Sequence, residues 1–371
     1  MTRAIAHIAG FLAVLGMLVG VLGASPALAS SEEDEADGSV YTLTNAASGN
    51  SVLVFERAEN GRLTASGRFA TGGNGNGAGL GSQGALTLSK DRHWLFAVNA
   101  GSNDISAFAV KHEGLALKDR VSSGGTQPIS VATRGDLVYV LNAGGTPSVS
   151  GFRLRDGHLR PIAGSTRTLS GAGPAEVAIS RAGHVLVVTD KGTDTIETFV
   201  LDERGAAGPS VSHPSHGRTP FGFAFGRDGQ VFVSEAAGGP GNLSATSSYV
   251  VGNNGSLTLV SGSVSTTQLA ACWLVVTKNG RFAYTTNTAS DSISTYSIDK
   301  RGAITLQAAV AAKADRSHPT DMALSRGSQF LYVLESGTSS IGAYQAKADG
   351  GLTAIQRVSG LPAGTVGLAA R

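Results

Sequence analysis

The chain contains 371 residues, of which 51 are glycine and only 15% are charged. The glycine share is about twice the usual ~7%, which indicates frequent turns, and a hydrophobic fraction of 41% excludes a wholly disordered chain. A net charge of +2 lacks the basic balance that nucleic-acid binding needs, so we expect no nucleic-acid partner. The single cysteine, Cys272, excludes an intrachain disulfide, so packing and hydrogen bonds must stabilise the fold.

The first thirty residues have the pattern of an export signal. Arg3 precedes an apolar run over residues 8–23, and Ala27-Leu28-Ala29 is a small-x-small cleavage site. We expect a signal peptide over residues 1–29, cleaved near Ala29, and therefore a secreted or periplasmic protein. A retained anchor is the alternative, but the apolar run is shorter than the ~20 residues that span a bilayer, so no membrane insertion is expected.

An acidic stretch follows the cleavage site. Residues 30–38 include five carboxylates and no large apolar residue. Such a segment has little apolar surface to bury and remains solvated. We predict a disordered leader over residues 30–38 and one folded domain over residues 39–371.

From Val40 onward, short apolar bursts alternate with glycine, asparagine, serine and aspartate, which predicts an all-β chain. One burst ends in a polar residue, is followed by a turn of small residues, and recurs through the whole domain at a spacing of about 48 residues. Its copies are Tyr41–Asn45, Phe96–Asn99, Tyr139–Asn142, Val187–Asp190, Phe232–Glu235, Tyr284–Asn287 and Tyr332–Glu335.

Each copy is accompanied by three further short strands. Two follow it, and a third precedes most copies, introduced by proline at Pro128, Pro174, Pro220 and Pro319. Four antiparallel strands in about 48 residues form one propeller blade, because a small sheet must stack on its neighbours to bury its faces.

The two ends of the chain complete each other. The unit over residues 40–69 lacks its introductory strand, whereas residues 362–369 form an introductory strand with nothing after it. We therefore predict a seven-bladed β-propeller with four antiparallel strands per blade, closed by the N- and C-terminal strands in one blade. Closure removes the edges that an open array would expose, and we expect a monomer.

Two elements carry a resemblance to a known family: proline-led inner strands, and the basic-Gly turns that follow them at residues 179–183 and 225–229. The pattern resembles the seven-bladed propeller lactonases, which include bacterial 6-phosphogluconolactonases and fungal carboxymuconate lactonizing enzymes. The resemblance covers the whole mature chain. It implies a hydrolase of the carboxylic ester class that takes a lactone or carbohydrate-like ligand in the central funnel, without a cofactor.

The fifth blade departs from the family pattern. Family enzymes that act on sugar or muconate lactones tend to carry Arg and His early in one inner strand, and Glu at the end of the next strand. Here Phe221 and Gly222 stand at the Arg and His positions, and Glu235 matches the glutamate. Without an anion-binding arginine and an acid/base histidine, phosphorylated or carboxylated lactones are disfavoured as substrates.

Polar residues at the connection into each inner strand and at the end of each second strand are expected to converge on the funnel. Those at the connections are Gln127, Glu176, Arg218, Gln268, His318 and Asp321. We expect Glu235 to act as general base on a water molecule, with Arg218 or His318 stabilising the oxyanion. The alternative is that Glu235 caps the following turn. A non-catalytic extracellular propeller that binds a ligand, glycan or protein is the alternative function.

Two histidines close in sequence raise the question of a metal. His213 and His216, with Glu176, are candidate ligands of a divalent ion such as zinc, and a ring of carboxylate and amide oxygens is a candidate calcium site. We expect an ordinary exposed loop instead, and no metal. Cys272 is expected to pack rather than react. The run 72–81 is expected to be an inter-blade loop, because it precedes a strand, whereas dinucleotide binding requires a helix.

Overall fold

Seven antiparallel sheets follow one another around a central axis. The computed structural model describes residues 38–239, 241 and 243–371, which fall within one compact unit, Glu35–Arg371. The predicted signal peptide, and the predicted leader up to residue 37, lie outside the described residues. In the part of the chain that the structure describes, no helix is long and apolar enough to cross a membrane.

The first three blades contain the following strands, given in chain order. Blade 1 contains β1 (Gly38–Leu43), β2 (Ser51–Arg57) and β3 (Leu63–Ala70), together with the C-terminal β29 (Val366–Ala370). Blade 2 contains β4 (Leu86–Leu88), β5 (Trp94–Asn99), β6 (Asp104–Lys111) and β7 (Gly114–Ser122). Blade 3 contains β8 (Thr126–Arg134), β9 (Leu137–Gly144), β10 (Ser148–Arg155) and β11 (His158–Pro161), with the short β12 (Arg167–Thr168) also paired to β10.

The remaining four blades each contain four strands. Blade 4 contains β13 (Pro174–Ile179), β14 (Val185–Asp190), β15 (Thr195–Leu201) and β16 (Ala207–Pro214). Blade 5 contains β17 (Pro220–Phe225), β18 (Gln230–Glu235), β19 (Ala245–Val251) and β20 (Leu257–Ser265). Blade 6 contains β21 (Ala271–Val276), β22 (Phe282–Asn287), β23 (Ser292–Ile298) and β24 (Ile304–Lys313). Blade 7 contains β25 (Pro319–Leu324), β26 (Phe330–Glu335), β27 (Ser340–Ala346) and β28 (Leu352–Ser359).

The predicted seven-bladed architecture and its closure are confirmed. In blade 1 the C-terminal strand β29 is innermost and pairs antiparallel with β1, from Val40 opposite Ala370 to Leu43 opposite Val366. The Thr42 hydroxyl donates to the carbonyl of Gly367 at 2.7 Å, which adds a side-chain bond to this closing pair. Around the axis the innermost strands are β29, β4, β8, β13, β17, β21 and β25, and neighbours in this order contact each other.

The core lies between the blades rather than in one central mass. Second strands are buried along their length because both of their faces pack on neighbouring sheets, as β14 and β26 do. Large aromatic side chains fill the gaps, and their polar atoms bridge blades: the Tyr139 hydroxyl donates to the Gly205 carbonyl at 2.7 Å, from blade 3 to blade 4. Outermost strands such as β16 are largely exposed.

Candidate functional site

In most blades the polar residue that ends the second strand points into its own blade, whereas Asn45 contacts Asn76 and Ala78 in the segment between blades 1 and 2. All of these side chains are buried, at 0–1% exposure, and most are hydrogen-bonded to the adjoining turns and strands. They are Asn45, Asn99, Asn142, Asp190, Glu235, Asn287 and Glu335. The repeat therefore supplies a structural link between the second strand and the neighbouring turns, and these residues do not line the funnel.

Glu235 is enclosed within blade 5. One carboxylate oxygen accepts from the Gly217 N–H at 2.9 Å, and the other accepts from the hydroxyl of Ser263 on the outermost strand β20 at 2.7 Å. Burial raises the pKa of this carboxyl, while hydrogen bonds from Ser247, Ser263 and Gly217 oppose the rise. With 0% of its surface exposed, the carboxylate cannot reach a ligand in the funnel. Its predicted position there is wrong, and its hydrogen-bond partners are Gly217 before β17 and Ser263 in β20, rather than the following turn that the capping alternative names.

The two predicted oxyanion partners lie elsewhere. The Arg218 side chain is 70% exposed at the entry to blade 5, with Nε 3.9 Å from the carboxylate of Asp194. His318 is exposed at the entry to blade 7, where its backbone N–H donates to Asp291. An enclosed carboxylate and two solvent-exposed side chains on different blades do not form one catalytic site. The structure therefore does not assemble Glu235, Arg218 and His318.

The candidate metal ligands are also separated. The imidazole of His213 lies within hydrogen-bond distance of the Thr198 hydroxyl and the Gly255 carbonyl, at 3.1 and 3.0 Å. The imidazole of His216 contacts Ser263 at 2.9 Å instead, and Glu176 lies on the innermost strand β13. Among residues 38–239, 241 and 243–371, no group of three or more His, Cys, Asp or Glu side chains is placed to hold a metal ion.

The chain enters the innermost strands through a repeated backbone conformation. Thr219, Ala270 and His318 each directly precede such a strand, and Gln127 is the second residue of β8; all four have a positive φ, between 42° and 61°. A left-handed backbone conformation costs free energy for residues other than glycine, so other contacts must stabilise these four residues. Side chains from the preceding blade do so: the N–H groups of Gln127, Thr219 and His318 donate to the side chains of Asn103, Asp194 and Asp291, at 2.7–2.9 Å.

A second set of contacts links the innermost strands of neighbouring blades around the axis of the ring. The side chain two residues after the leading proline accepts a backbone N–H from the next blade. Ser130 accepts from Val177 at 3.3 Å, and Glu176 accepts from Phe223 at 2.6 Å. Asp321 in blade 7 does the same for Gly367 of β29, at 3.1 Å. Two of these inter-blade acceptors are therefore carboxyl groups at the centre of the ring.

Blade 5 has no side chain at this position, because the residue there is Gly222. The missing acceptor is supplied by Gln83, whose Oε1 accepts from the Leu274 N–H at 2.9 Å. The same amide donates to the Glu176 carboxylate at 3.2 Å and to the Leu274 carbonyl at 3.0 Å. A Cβ on Gly222 would lie 2.2 Å from Gln83 Oε1, so glycine is needed there. Gln83 therefore fills the centre of the ring between blades 4, 5 and 6.

The segment over residues 72–84, between β3 and β4, brings Gln83 to this position; we call it the glycine-rich loop. Its backbone packs against the first blade so closely that a Cβ on Gly75 would lie 2.1 Å from the Asn45 carbonyl. Further along, the Lys191 ammonium and the Trp273 indole N–H donate to the carbonyls of Gly81 and Ser82, at 3.0 and 2.9 Å. The predicted inter-blade loop is thus an ordered segment that crosses one mouth of the central channel.

Burial controls the charge of the two central carboxyl groups. Glu176 and Asp321 are 7% and 5% exposed. Loss of hydration raises the pKa of Asp321 from 3.8 to about 7. It raises the pKa of Glu176 well above its ordinary value, and the neighbouring Asp321 carboxyl adds to that rise. Near neutral pH, this pair therefore holds protons that exposed carboxyl groups would have lost.

An aromatic and cationic cluster lies beside the loop at the channel mouth. The rings of Phe221 and Trp273 are 4.9 Å apart, and the Lys191 ammonium lies 5.2 Å from the centre of the Phe221 ring. Burial lowers the pKa of Lys191, whose ammonium also donates to the Pro174 carbonyl at 3.0 Å. The adjacent Cys272 thiol has its pKa raised by burial to about 12, so it is not a thiolate nucleophile at neutral pH.

Comparisons with known proteins agree with this architecture. A family model described as "Lactonase, 7-bladed beta-propeller" matches residues 37–162 and 254–366. The unmatched interval contains most of blades 4 and 5, including Glu176, Gly222 and Glu235. No curated protein matches the chain.

Several solved structures share the fold. A candidate 6-phosphogluconolactonase from Bacteroides fragilis superposes with a TM-score of 0.72 and 20% identity, covering 91% of this chain and 98% of that one. A periplasmic gluconolactonase from Pseudomonas aeruginosa gives a TM-score of 0.70 and 18% identity, with 89% and 98% covered. A protein from Lactobacillus plantarum gives 0.73 and 19%, with 90% and 99% covered. At these identities the likeness shows the fold.

Proposed function

Because the chain belongs to the seven-bladed β-propeller lactonase family, we propose that it hydrolyses a lactone in its central channel, with Asp321 and Glu176 as the reacting groups. One observation carries the proposal: two electrostatically coupled carboxyl groups occupy matching positions on the innermost strands of blades 4 and 7. They replace Glu235 as catalytic candidates, since the latter is enclosed in its blade.

The chemistry follows from the protonation of the pair. Asp321, with a pKa of about 7, is partly ionised near neutral pH and can accept a proton from water. The resulting hydroxide adds to the lactone carbonyl. The ring C–O bond then breaks, and the alkoxide leaving group takes up a proton to give the open-chain hydroxy acid. Glu176 in its acid form donates a hydrogen bond to the developing oxyanion. Two carboxyl groups in different protonation states thereby divide the base and acid roles.

The channel favours a neutral lactone as substrate. Phe221 and Gly222 replace the Arg and His that the family pattern would place there, and two carboxyl groups lie nearby. The Lys191 ammonium already donates to two backbone carbonyls, so it is poorly placed to neutralise a phosphate or a carboxylate. A neutral sugar or aliphatic lactone meets these conditions. We further propose that the protein is exported, on the strength of the N-terminal sequence pattern, and that it is a monomer, since closure of the ring leaves no open array edge.

A panel of lactones tests the proposal. The full mature chain is incubated with neutral sugar lactones, aliphatic lactones and phosphorylated lactones, and acid release is followed in a pH-stat. Asp321→Asn and Glu176→Gln should reduce turnover of the neutral lactones by about a hundredfold or more. Glu235→Gln is the matched control, since it alters a buried carboxylate outside the channel. Absence of turnover in the native chain, or equal loss in all three variants, would contradict the assignment.

One observation favours the alternative function, a propeller that binds without catalysis. Both oxygens of Glu176 accept hydrogen bonds, from Gln83 and from Phe223, and the Gln83 side chain occupies the space beside it. A ligand at this mouth must then contact the glycine-rich loop rather than the carboxyl groups. Calorimetric binding of a lactone or sugar acid without release of product, and without loss in Asp321→Asn, would establish this alternative.

A further inference from the structure

Every blade carries a basic residue at the end of its innermost strand: in six blades at the turn that follows this strand, and in blade 1 at Arg371, directly after β29. Each lies within two residues of the end of that strand, on the face opposite to the glycine-rich loop. We call them the basic ring: Lys90, Arg134, Arg181, Arg227, Lys278, Arg326 and Arg371. These turns are the loops of that face nearest to the axis, because the innermost strands lead into them.

The fold does not require a positive charge at this position. Tight turns accept most residue types in their first central position, and proline is the residue that geometry favours there. The residues that follow the basic ones in six of the turns share no chemistry. They are Asp91, Gly135, Ala182, Asp228, Asn279 and Gly327. Lysine and arginine together make up only 29 of 371 residues, so a positive charge at the end of all seven innermost strands is a property of this face.

The basic side chains lean around the axis in one direction. Arg134 of blade 3 packs against Gly183 of blade 4, and Nη1 of Arg181 donates to the Gly226 carbonyl of blade 5 at 3.2 Å. The stem of Arg227 packs in turn on Gly280 of blade 6. These three arginines thus lie above junctions between two blades, and the seven basic residues follow one another around the channel.

Six members of this ring are not paired with a nearby carboxylate. Asp136 pairs with Arg153 and Arg155, which belong to β10, and Asp91 pairs with His93 at 3.4 Å. Within residues 38–239, 241 and 243–371, the following members form no ion pair with a carboxylate: Lys90, Arg134, Arg181, Arg227, Lys278 and Arg371. Asp91, Asp136 and Asp228 lie in the same turns, but none of them forms an ion pair with these six basic groups.

A cleft opens between two members of the ring. Its volume is about 430 Å³, and it is lined by Arg181 and Arg227 together with the polar side chains of Ser180, Asn253 and Asp228. The two arginines can bind the acid group of a charged sugar unit, while Ser180, Asn253 and the Asp228 carboxyl group can bind its hydroxyls. A recess between turns is accessible to a protruding sugar ring, whereas a flat bilayer surface would span it.

We propose that the basic ring binds an anionic polysaccharide. A polymer supplies charges at intervals, which suits cations distributed over seven blades, and one of its units can enter the cleft. The turns carry no aromatic residue on which nucleic-acid bases would stack and no large apolar residue that would enter a bilayer. This site lies on the opposite face from the glycine-rich loop and is independent of lactone hydrolysis.

Binding to two polysaccharides tests the proposal. The mature chain is titrated with heparin and with polygalacturonate at 50 and 300 mM salt, by calorimetry or fluorescence anisotropy. The ring variant changes Lys90, Arg181, Arg227 and Lys278 to Gln. A control variant removes the same charge from exposed positions on outermost strands, at Arg68, Lys118, Arg160 and Lys313. If the fourfold ring variant does not fold, Lys90→Gln with Lys278→Gln replaces it.

The expected result is salt-dependent binding by the native chain. The ring variant should raise Kd at least about tenfold, while the control variant changes it less than about twofold. Lactone turnover should stay unchanged in the ring variant. Equal effects of the two variants, or no binding to either polymer at 50 mM salt, would overturn the proposal. So would tighter binding to phosphatidylserine vesicles or to single-stranded DNA than to the polysaccharides.

Discussion

The buried Asp321 carboxyl should make the stability of this protein fall as pH rises. In the unfolded chain its pKa is near 3.8, and in the folded chain it is about 7. The folded state therefore binds the proton more tightly, and its stability contribution is fully present below pH 3.8 and lost as pH rises through 7. Between these two pKa values the free energy of unfolding falls by about 1.4 kcal/mol for each rise of one in pH, so the expected loss from pH 5 to pH 8 is about 2.5 kcal/mol.

Urea unfolding at four pH values between 5 and 8 measures this loss. Asp321→Asn retains an acceptor for the Gly367 N–H but cannot ionise, so its free energy of unfolding should fall by about 2.5 kcal/mol less than that of the native chain. Glu176 contributes in the same direction and should leave a residual slope. Asp315→Asn, at a side chain 85% exposed, is the matched control and should preserve the native slope. An Asp321→Asn variant with the native slope would refute the reasoning.

Three further substitutions test the contacts that hold the ring together, each by urea unfolding at pH 7. Gln83→Ala leaves the Leu274 N–H without its acceptor and should lower the free energy of unfolding by about 2–4 kcal/mol. Its control, Gln345→Ala, changes an exposed side chain and should lower this free energy by less than about 0.5 kcal/mol. Gly222→Ala places a Cβ 2.2 Å from the Gln83 amide oxygen, so a loss of about 1–3 kcal/mol is expected, and an unchanged midpoint would disprove the contact. Arg357→Gln removes the partner of the buried Glu335 carboxylate, 2.6 Å away. Because the arginine is partly exposed, the free energy of unfolding should fall by only about 1–3 kcal/mol. The same substitution made in a Glu335→Gln background should cause no such loss.

The architecture was predictable because its signals are local. Each blade repeats the same strand-ending polar residue, and four of them repeat a leading proline, so the period is visible without any long-range information. The closing blade was predictable because the first unit lacks an innermost strand and the C-terminal segment supplies one. The pairing of Val40 with Ala370 confirms this closure. Burial of Asn99, Asp190 and their equivalents agrees with the capping role that their residue types favour.

The site was less predictable because it depends on which way a side chain points and on contacts between distant residues. A glutamate that ends a strand can face the funnel or its own blade, and only the contacts with Gly217 and Ser263 show that Glu235 faces its blade. Gln83 meets partners 93 to 191 residues away. Two features of the sequence could have indicated the role of Gln83. It stands where other repeats carry proline, and Gly222 leaves space for its side chain.

The pH dependence of lactone hydrolysis tests the proposed role of the central carboxyl groups most directly. Initial rates on a neutral lactone are measured from pH 5 to pH 9 for the native chain, for Asp321→Asn and for Glu235→Gln. With Asp321 as general base, kcat/KM should rise with pH to a midpoint near 7. This rise should persist in Glu235→Gln and disappear in Asp321→Asn with a loss of about a hundredfold or more. A native profile retained by Asp321→Asn, or no turnover at any pH, would contradict hydrolysis at this site.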